Sequence, residues 1–442
     1  ITYYTVDIDS GKSEEITEPV NSNGEITFTV KANFKGQIYA KATDNVLNTA
    51  TDFVNPNSAI VEDAKKHKEE NHIKFAKEQA KYKTSNGSDL YAENVSVEIT
   101  VTDTYSGIRS IEWSVEAPYD TDNDQSGSVT VANDRSMIGD DNWTQTQTEA
   151  NLVYVMKKTI IVNNNSNDIV VNVKMTDRAG NTSEEKIIFS IDKTAPVIEV
   201  TYDNNTPDET YTDFFKADRK ATIKITERNF NKNDVVYKIT NTDGTIPSLS
   251  DWTEHKDTVN PDATYYTAEI LYHADGDYSF DISYADLAKN KTADFAQHKF
   301  TIDQTMPTVS VAYDNMSALN GNYYKADRVA TITIVEHNFD AARVTVIGTA
   351  TDNGATVAFP VTSAWNDNGD THTATIHYAS DAKYSFDIEF NDKAGNSIAD
   401  YTPEEFYVDK TAPTLEISGV ADKSANNGTV APVITFTDTN YN

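Results

Sequence analysis

The sequence contains no cysteine in its 442 residues. This absence excludes disulfide bonds, thiolate metal sites and cysteine nucleophiles together. It fits a bacterial exported protein or a cytosolic protein better than a mammalian secreted sandwich domain, which often carries a bridge. The chain also lacks any run of about 20 apolar residues, the length that spans a bilayer, so we expect no membrane insertion.

Positive charge is scarce. Lys and Arg number 37 against 69 Asp and Glu, which gives a net charge of −32. Such a surface repels nucleic acid and anionic membranes, so neither is expected as a partner. The simplest interpretation of the acidity is the solubility of a long, exposed chain of domains.

Tyr, Phe, Val, Ile and Thr are abundant, and they fall into alternating apolar and polar positions. The segments 278–284 and 384–390 each place four apolar residues on one face, which is the period of a β-strand. Tyr278 and Tyr384 occupy the position of a tyrosine corner in an immunoglobulin-like sandwich. The sequence therefore predicts antiparallel sheets almost throughout.

One phrase recurs at intervals of about 110 residues, the length of a whole small domain and too long for a solenoid unit. It consists of Asp-x-Ala-x-Asn, a strand, and then Asp-x-Thr-x-Pro. The copies are Asp177–Asn181 with Asp192–Pro196, Asp286–Asn290 with Asp303–Pro307, and Asp392–Asn396 with Asp409–Pro413. In the first element we expect Asp to accept hydrogen bonds from turn amides, while Gly180 or Gly395 supplies a positive φ.

The repeat divides the chain into tandem domains. The predicted boundaries are a partial immunoglobulin-like domain at 1–56, a helical linker or insert at 57–83, an immunoglobulin-like domain at 84–192 with a long loop at 119–150, immunoglobulin-like repeats at 193–303 and 304–409, and the truncated start of another at 410–442. The predicted fold class is thus mainly β, with tandem antiparallel immunoglobulin-like sandwiches and one inserted charged helix.

The helix is predicted over residues 59–83, which contain many Lys, Glu and Ala and no Gly or Pro, with Ser58 as an N-cap. It forms a basic island in an acidic chain. A spacer role and a partner-binding role are both open for it, because a charged helix with scattered apolar groups can dock on a partner. The candidate partner-binding residues are Lys66, Glu70, Ile73, Lys74, Phe75, Lys77 and Tyr82.

These motifs resemble bacterial immunoglobulin-like repeats, in particular the tandem repeats of very large cell-surface proteins of gut Firmicutes. The resemblance rests on the Asp-x-Ala-Gly-Asn turn, the Asp-Lys-Thr-Ala-Pro junction and the Lys-Ala-Asp-Arg-x-Ala-Thr-Ile block. It covers 193–409 closely and 84–192 more loosely. It implies an extracellular, wall-attached protein of a Gram-positive bacterium; some members are adhesins, and some bind host immunoglobulin as B-cell superantigens. It brings no catalytic residues.

The sequence offers no set of nucleophile, base and acid, so an enzyme is not expected. Two histidine pairs, His67 with His72 and His372 with His377, are poorly spaced for a metal. All four are interpreted as surface residues. The Asp-rich segment 120–131 fails as an EF-hand loop, because its sixth and twelfth positions are Gln125 and Val131.

Asp192, Asp303 and Asp409 stand at the ends of successive domains. The favoured interpretation is that each caps a turn before a rigid proline. The alternative is that they gather calcium between domains. Because no calcium motif supports this alternative, no cofactor is expected.

The sequence therefore predicts a non-enzymatic fragment of a bacterial surface protein whose modules bind a host protein, with an antibody as one candidate. Two alternatives stay open. The modules could bind carbohydrate, or act as spacers, in a large exported glycan-active protein. They could also form a purely structural stalk.

Overall fold

A computed structural model describes residues 1–7, 11–30, 36–54, 72–140, 142–149 and 152–441. In these ranges the regular secondary structure is almost entirely β-strand, and the helical segments are four single 3₁₀ turns. The turns are Thr121–Asn123, Lys232–Asp234, Pro261–Ala263 and Ala341–Arg343. Within the described ranges, no helix has the length and apolarity that crossing a membrane requires.

The N-terminal segment forms one five-stranded antiparallel sheet. Its strands β1 to β5 are Thr2–Asp7, Gly11–Lys12, Ile16–Thr17, Gly36–Thr43 and Thr49–Val54. The order is β2-β1-β4-β5, and β3 also pairs with β1. Asp44 accepts hydrogen bonds from both the backbone and side-chain nitrogens of Asn48 in the turn between β4 and β5, each at 2.8 Å.

The first unit, residues 72–192, contains two sheets around one core. Strands β6 to β16 are Ile73–Lys77, Tyr82–Lys83, Asp89–Tyr91, Val95–Thr102, Ile108–Glu116, Gln125–Val131, Met137–Gly139, Thr144–Glu149, Leu152–Val162, Ile169–Asp177 and Thr182–Ile191. The sheet orders are β12-β11-β10-β15-β16-β8-β7 and β13-β14-β9-β6. Buried apolar residues of both sheets form a single cluster.

The second unit, residues 193–303, repeats this plan with fewer strands. Strands β17 to β24 are Val197–Tyr202, Phe214–Phe215, Arg219–Thr226, Val236–Asn241, Thr253–His255, Tyr265–Tyr272, Gly276–Ser283 and His298–Ile302. The orders are β17-β19-β22-β21 and β18-β24-β23-β20. A parallel pairing joins the short β18 to the last strand of this unit, β24, as β8 pairs with β16 in the first unit.

The third unit, residues 304–409, keeps the strand order of the second and adds one edge strand, β29. Strands β25 to β33 are Thr308–Tyr313, Tyr323–Tyr324, Arg328–Val335, Thr345–Asp352, Ala355–Thr356, Asn366–Asn368, Thr371–Tyr378, Ala382–Glu389 and Phe406–Val408. The orders are β25-β27-β31-β30 and β26-β33-β32-β28-β29. A hairpin of β34 and β35, Thr414–Ser418 and Val433–Thr437, follows it. The assignment of these two-sheet units to the immunoglobulin-like class stays a prediction.

The predicted tyrosine corners are confirmed. The Tyr278 hydroxyl donates to the Ala274 carbonyl at 2.7 Å, and the Tyr384 hydroxyl donates to the Ser380 carbonyl at 2.9 Å. Each ring is buried in the core of its unit, and the hydroxyl fixes the backbone that enters the strand.

The recurring arginine of the Lys-Ala-Asp-Arg block is a core residue. The Arg328 guanidinium is 3.6 Å from the ring centre of Tyr313 and 4.1 Å from that of Tyr324, and only 1 % of the residue is exposed. Glu404 accepts a hydrogen bond from it at 2.9 Å. Arg219 packs in the same way on Tyr202 in the second unit. Cation–π contact and carboxylate pairing offset the burial of this charge.

The predicted helix at 59–83 is wrong over its described part. Residues 73–77 and 82–83 are strands, and β6 pairs with β9, so this segment belongs to the sheets of the first unit. The physical reason is the alternation of Ile73 and Phe75, whose packing against the core outweighs the helix propensity of the surrounding Lys, Glu and Ala. The rest of the prediction, residues 59–71, lies outside the described residues.

The predicted loop at 119–150 is also wrong in large part. It contains strands β11, β12 and β13, and it buries Val129, Val131 and Trp143 in the core. Gly127 allows the Trp113 indole to lie across β11, since a Cβ there would be 2.6 Å from the indole nitrogen. The many polar residues belong to the solvent face of an extended sheet.

Candidate metal centre at the unit junctions

The repeated sequence phrases meet in space where one unit passes to the next. We call these places junction 1, at Asp192, junction 2, at Asp303, and junction 3, at Asp409. At each junction the last Asp of one unit contacts a segment Glu/Asp-x-Asn that follows the second long strand of the next.

The last Asp of each unit is held through its backbone and its side chain. The N–H groups of Asp192, Asp303 and Asp409 donate to the carbonyls of the short strands β8, β18 and β26 at 2.8, 3.0 and 2.9 Å. One carboxylate oxygen of each Asp accepts the N–H of the Thr two positions later, at 3.2, 3.2 and 3.1 Å. The favoured prediction of a turn-capping Asp is therefore confirmed at all three junctions.

The other carboxylate oxygen of the same Asp is used by the next unit. The side-chain amides of Asn229, Asn338 and Asn440 donate to it at 2.5, 2.8 and 2.9 Å. The backbone N–H of each Asn donates to the carboxylate two positions earlier, which belongs to Glu227, Glu336 and Asp438. One short segment thus brings a second carboxylate next to the first.

The Asp-x-x-x-Asn turn contributes a third carboxylate and a clamp. Asp392 accepts hydrogen bonds from the backbone and side-chain nitrogens of Asn396 at 2.9 and 2.8 Å. The Asn396 side chain also donates to the backbone carbonyl of Asp303 at 2.8 Å. Asp286 and Asn290 do the same at junction 1, where Asn290 donates to the Asp192 carbonyl at 2.9 Å. The turn therefore binds the backbone at the end of the preceding unit.

The fourth position of this turn needs left-handed backbone. Gly180 and Gly395 adopt φ of 92° and 87°, as the sequence predicts. Lys289 occupies the position in the second unit with φ of 69°, a conformation that costs a side-chain-bearing residue roughly 1–2 kcal/mol. The hydrogen bonds of the turn offset this cost.

Within the described part of the chain, two complete carboxylate clusters result. In each cluster, one ligand atom from each of three acidic residues lies within 4.8 Å of the others: Asp192, Glu227 and Asp286 at junction 1, and Asp303, Glu336 and Asp392 at junction 2. All six residues are buried, with at most 5 % exposure. Junction 3 holds the corresponding pair Asp409 and Asp438.

The clusters strongly disfavour full ionisation. Burial, followed by the Asp192 charge, raises the pKa of Glu227 to about 8, and burial raises the pKa of Asp286 to about 6. At junction 2, burial raises the pKa of Glu336 to about 7, and it raises the pKa of Asp303 and of Asp392 as well. A buried carboxylate among like charges gains stability when a proton or a cation joins it.

One oxygen of each cluster's Glu accepts no hydrogen bond. Oε1 of Glu227 and of Glu336 accepts the N–H of the Asn two positions later, at 2.6 and 2.7 Å. Oε2 of each accepts nothing from any residue in the described part of the chain, although Glu227 is 3 % exposed and Glu336 is 5 % exposed. Oxygen-only donor sets of this kind suit hard dications such as Ca²⁺, and three carboxylates, with water, can supply its ligands.

The surroundings of the two clusters differ. At junction 1, Arg228 lies between Glu227 and Asn229; its Nη2 is 3.1 Å from Oδ1 of Asp192, and its side chain is 4 % exposed. At junction 2 the same position is His337, which turns outward to Asp370 at 2.9 Å and is 67 % exposed. The second cluster therefore has no guanidinium of its own at this position.

Junction 2 also has a second contact. Nη2 of Arg343 in the third unit donates to both carboxylate oxygens of Asp208 in the second, each at 2.8 Å. The Tyr211 hydroxyl donates to Asp340 at 2.6 Å across the same boundary. The position of Arg343 is Asp234 in the second unit, so junction 1 does not repeat this pair.

The structure places the predicted site residues in two groups. Asp192, Asp303 and Asp409 lie at the junctions as described. Among the candidate partner-binding residues, Ile73 is buried, Phe75 packs against the core, and Lys77 contacts Asp89 and the Tyr91 hydroxyl. Lys74 is exposed and Tyr82 is half-buried, whereas Lys66 and Glu70 lie outside the described residues. A binding role for this set stays a prediction.

The surface interpretation of the histidines is wrong at two positions. His72 is 3 % exposed and contacts the Thr102 carbonyl at 2.7 Å. His372 is 6 % exposed and lies between Asp367 and the Glu336 carbonyl. His377 is exposed, as expected, and His67 lies outside the described residues.

Sequence reasoning missed Glu227, Glu336, Asp286 and Asp392 as partners of the junction aspartates. A signal was present, because Glu-x-Asn-Phe and Asp-x-Ala-x-Asn recur with the same period as Asp-x-Thr-x-Pro. The Asp-x-Ala-x-Asn element was interpreted as a local turn, and the Glu-x-Asn-Phe element was not connected with the junctions. Their convergence depends on how successive units abut, which periodicity does not reveal.

No protein-family model and no curated protein matches the chain. Among solved structures, it is similar to the tetra-tandem repeat in the extending region of a large adhesion protein, at 16 % identity over 93 % of this chain and 92 % of that one, with a TM-score of 0.37. It is also similar to dimeric latent PorU from Porphyromonas gingivalis, at 13 % identity over 76 % of this chain and 34 % of that one, with a TM-score of 0.18. At these TM-scores neither likeness identifies a function.

Proposed function

We propose that this chain is a non-enzymatic repeat region of an extracellular bacterial surface protein, which holds other parts of that protein away from the cell. The observation that carries the proposal is the junction network. The same donors and acceptors join successive units at Asp192, Asp303 and Asp409. A repeated, specific joint between units is what a spacer requires, because a flexible linker would not maintain reach.

Divalent cations, with Ca²⁺ as the first candidate, are proposed as cofactors of these joints. The support is the pair of buried three-carboxylate clusters, each with one Glu oxygen that accepts no hydrogen bond from the described residues. Ligands at each cluster come from two successive units. A cation bound there would add to the Asn290 and Asn396 clamps and stabilise the joint between the units.

Small-angle X-ray scattering of the metal-stripped chain, with and without added CaCl₂, tests the spacer function. We expect an elongated particle in both conditions, with a longer maximum dimension in calcium because the joints bend less. A compact particle in both conditions would contradict the spacer function. An elongated particle whose maximum dimension does not change with calcium would support the spacer function and contradict the cation role.

Metal removal should also change thermal stability. A ligand that binds the native state stabilises it in proportion to the logarithm of its concentration over Kd, by about 2.7 kcal/mol at 100 Kd. We therefore expect the melting transition to fall when EDTA replaces calcium, measured by calorimetry. The double variant Glu227→Gln/Glu336→Gln is the matched control, and its melt should no longer respond to calcium.

The sequence resemblance motivates a second, finer proposal, that the exposed faces bind a host protein, with immunoglobulin as a specific candidate and glycans as an alternative. The test is a label-free binding assay against host glycoproteins, polyclonal antibodies and free glycans. Saturable binding to one protein class supports an adhesive role. Binding to glycans alone supports a carbohydrate-binding module. The absence of binding to every member of the panel would contradict the host-binding proposal and would be consistent with a spacer function only.

A further inference from the structure

We propose that the two complete clusters differ in their affinity for divalent cations, and that junction 2 binds such a cation more tightly than junction 1. The reason is that the positive charge of Arg228 already pairs with a carboxylate of the cluster at junction 1. This inference rests on the proposed cation role and identifies the residue that sets its strength. According to this proposal, Arg228 and His337, which occupy equivalent positions in successive units, determine how tightly each junction binds a cation.

Arg228 is built into junction 1. Besides Asp192, its Nη2 donates to the carbonyl of Ile191 at 2.9 Å and to Oδ1 of Asn165 at 2.9 Å, and its Nη1 bonds Asp262. Several of these partners belong to the first unit, so the guanidinium bridges the two units by itself. A fixed positive charge at 3.1 Å from a ligand oxygen repels an incoming dication and competes for that oxygen.

The equivalent position at junction 2 leaves the cluster open. His337 faces Asp370 rather than Asp303, so Oδ1 of Asp303 accepts only the Thr305 N–H among the described residues. Glu336 is 5 % exposed, and its Oε2 atom accepts no hydrogen bond from the described residues. This oxygen lies in a cluster with two other buried carboxylates and can take a ligand from solvent.

An acidic cavity lies beside two residues of the second cluster. A cavity of about 310 Å³ is lined by Asp303 and Glu336, and further by Asp243, Asp275, Asp277 and Asp370. The extra carboxylates raise the local concentration of cations and give an entering ion successive oxygen partners. Junction 2 therefore has an acidic cavity beside its cluster, and its guanidinium, Arg343, donates to the Asp392 backbone carbonyl and to Asp208 rather than to a cluster carboxylate. At junction 1, by contrast, Arg228 lies 3.1 Å from a carboxylate oxygen of the cluster and neutralises part of its charge.

Calcium titration of the full metal-stripped chain by isothermal calorimetry tests the inference, with CaCl₂ alone as the probe. We expect two classes of site. Glu336→Gln should remove the tighter class, and Glu227→Gln should remove the weaker one. Gln keeps the acceptor for the Asn backbone in each case, and a melt in EDTA checks that each variant folds.

The decisive variant is His337→Arg, which gives junction 2 the residue of junction 1. It should weaken the tighter class by at least about tenfold, since a nearby guanidinium opposes a dication. His377→Arg is the matched control, because it makes the same substitution at an exposed histidine on β31 that pairs with Asp327. That variant should leave both classes within about twofold of the parent.

The outcomes separate the two proposals. No calcium uptake by the parent chain would overturn the cation role and this inference together, while leaving the spacer function. Uptake by two equal classes, loss of the tighter class in Glu227→Gln, or an unchanged affinity in His337→Arg would overturn the inference and keep the cation role. Weakening by His377→Arg as great as that by His337→Arg would also overturn it, because overall charge would then be the cause.

Discussion

Single side chains at the junctions perform several tasks at once. The amide of Asn396 donates to Asp392 in its own turn and to the Asp303 carbonyl of the preceding unit. Asp303 in turn accepts from Thr305 in its own linker and from Asn338 in the next unit. A substitution here removes a local turn contact and an inter-unit contact together, so its effect should exceed that of a surface change.

Asn396→Ala should lower the free energy of unfolding by about 1–3 kcal/mol, because it leaves buried acceptors on Asp392 and Asp303 without their donor. The measurement is the calorimetric transition of the full chain. Asn366→Ala is the control, since Asn366 is an exposed residue of β30. Equal stability of the two variants would show that the clamp contributes nothing.

At the scale of elements, the strands could be predicted from the sequence wherever apolar residues alternate. The segments Gly276–Ser283 and Ala382–Glu389 follow their predicted period, and their tyrosine corners form. The failures have a common physical cause. The charged composition of 59–83 and the polar composition of 119–150 describe solvent faces, whereas the few residues that fix the strands, such as Ile73 and Val129, act through tertiary packing.

The candidate site shows the same limit. Asp192, Asp303 and Asp409 could be identified because they recur beside prolines, and their turn-capping role followed from local chemistry. Their carboxylate partners could not be identified, because Glu336 and Asp392 are separated along the chain and belong to the next unit. The burial of these carboxylates could not be predicted from the sequence either. Burial distinguishes a compact carboxylate cluster from acidic residues that are spread over a solvated surface.

The strand assignment of residues 73–77 has a direct test. Ile73→Ala should destabilise the first unit by about 2–5 kcal/mol, the usual cost of truncating a fully packed aliphatic side chain. Lys74→Ala, on the neighbouring exposed position, should change stability by less than about 0.5 kcal/mol. Chemical denaturation followed by the fluorescence of buried Trp143 distinguishes them. A negligible effect of Ile73→Ala would favour the surface helix that the sequence predicted.

For the whole molecule, the junctions are related but not identical. All three share the Asp and Asn contacts, yet only junction 1 has Arg228, and junction 2 has the Asp208–Arg343 pair on its other side. The units themselves keep one strand order through the second and third copies. The copies therefore differ in their joints as well as in the number of strands in their sheets, and the differences at the joints change which side chains hold neighbouring units together.

Asp208→Ala should loosen junction 2 without unfolding either unit, because it removes a bidentate partner of a mostly buried guanidinium. Since the chain has no cysteine, spin labels can be placed at Lys238→Cys and Thr345→Cys, both exposed. Pulsed electron resonance should show a broader distance distribution in the Asp208→Ala background. The neighbouring change Glu209→Ala is the control, and an equally broad distribution there would contradict a specific role for Asp208.

The parallel pairing of β18 with β24 has a mechanical consequence. Asp303 extends this pairing by donating its N–H to the Phe215 carbonyl, so the last strand of the unit remains attached near its exit. Tension applied along the chain pulls β24 out at one end while the opposite pull reaches the unit at its other end. That opposite pull enters through β17, which lies in the other sheet, so the load passes from one sheet to the other through the core between them. In the proposed spacer, a pull along the chain would thus act across the core of this unit rather than on a single pair of strands.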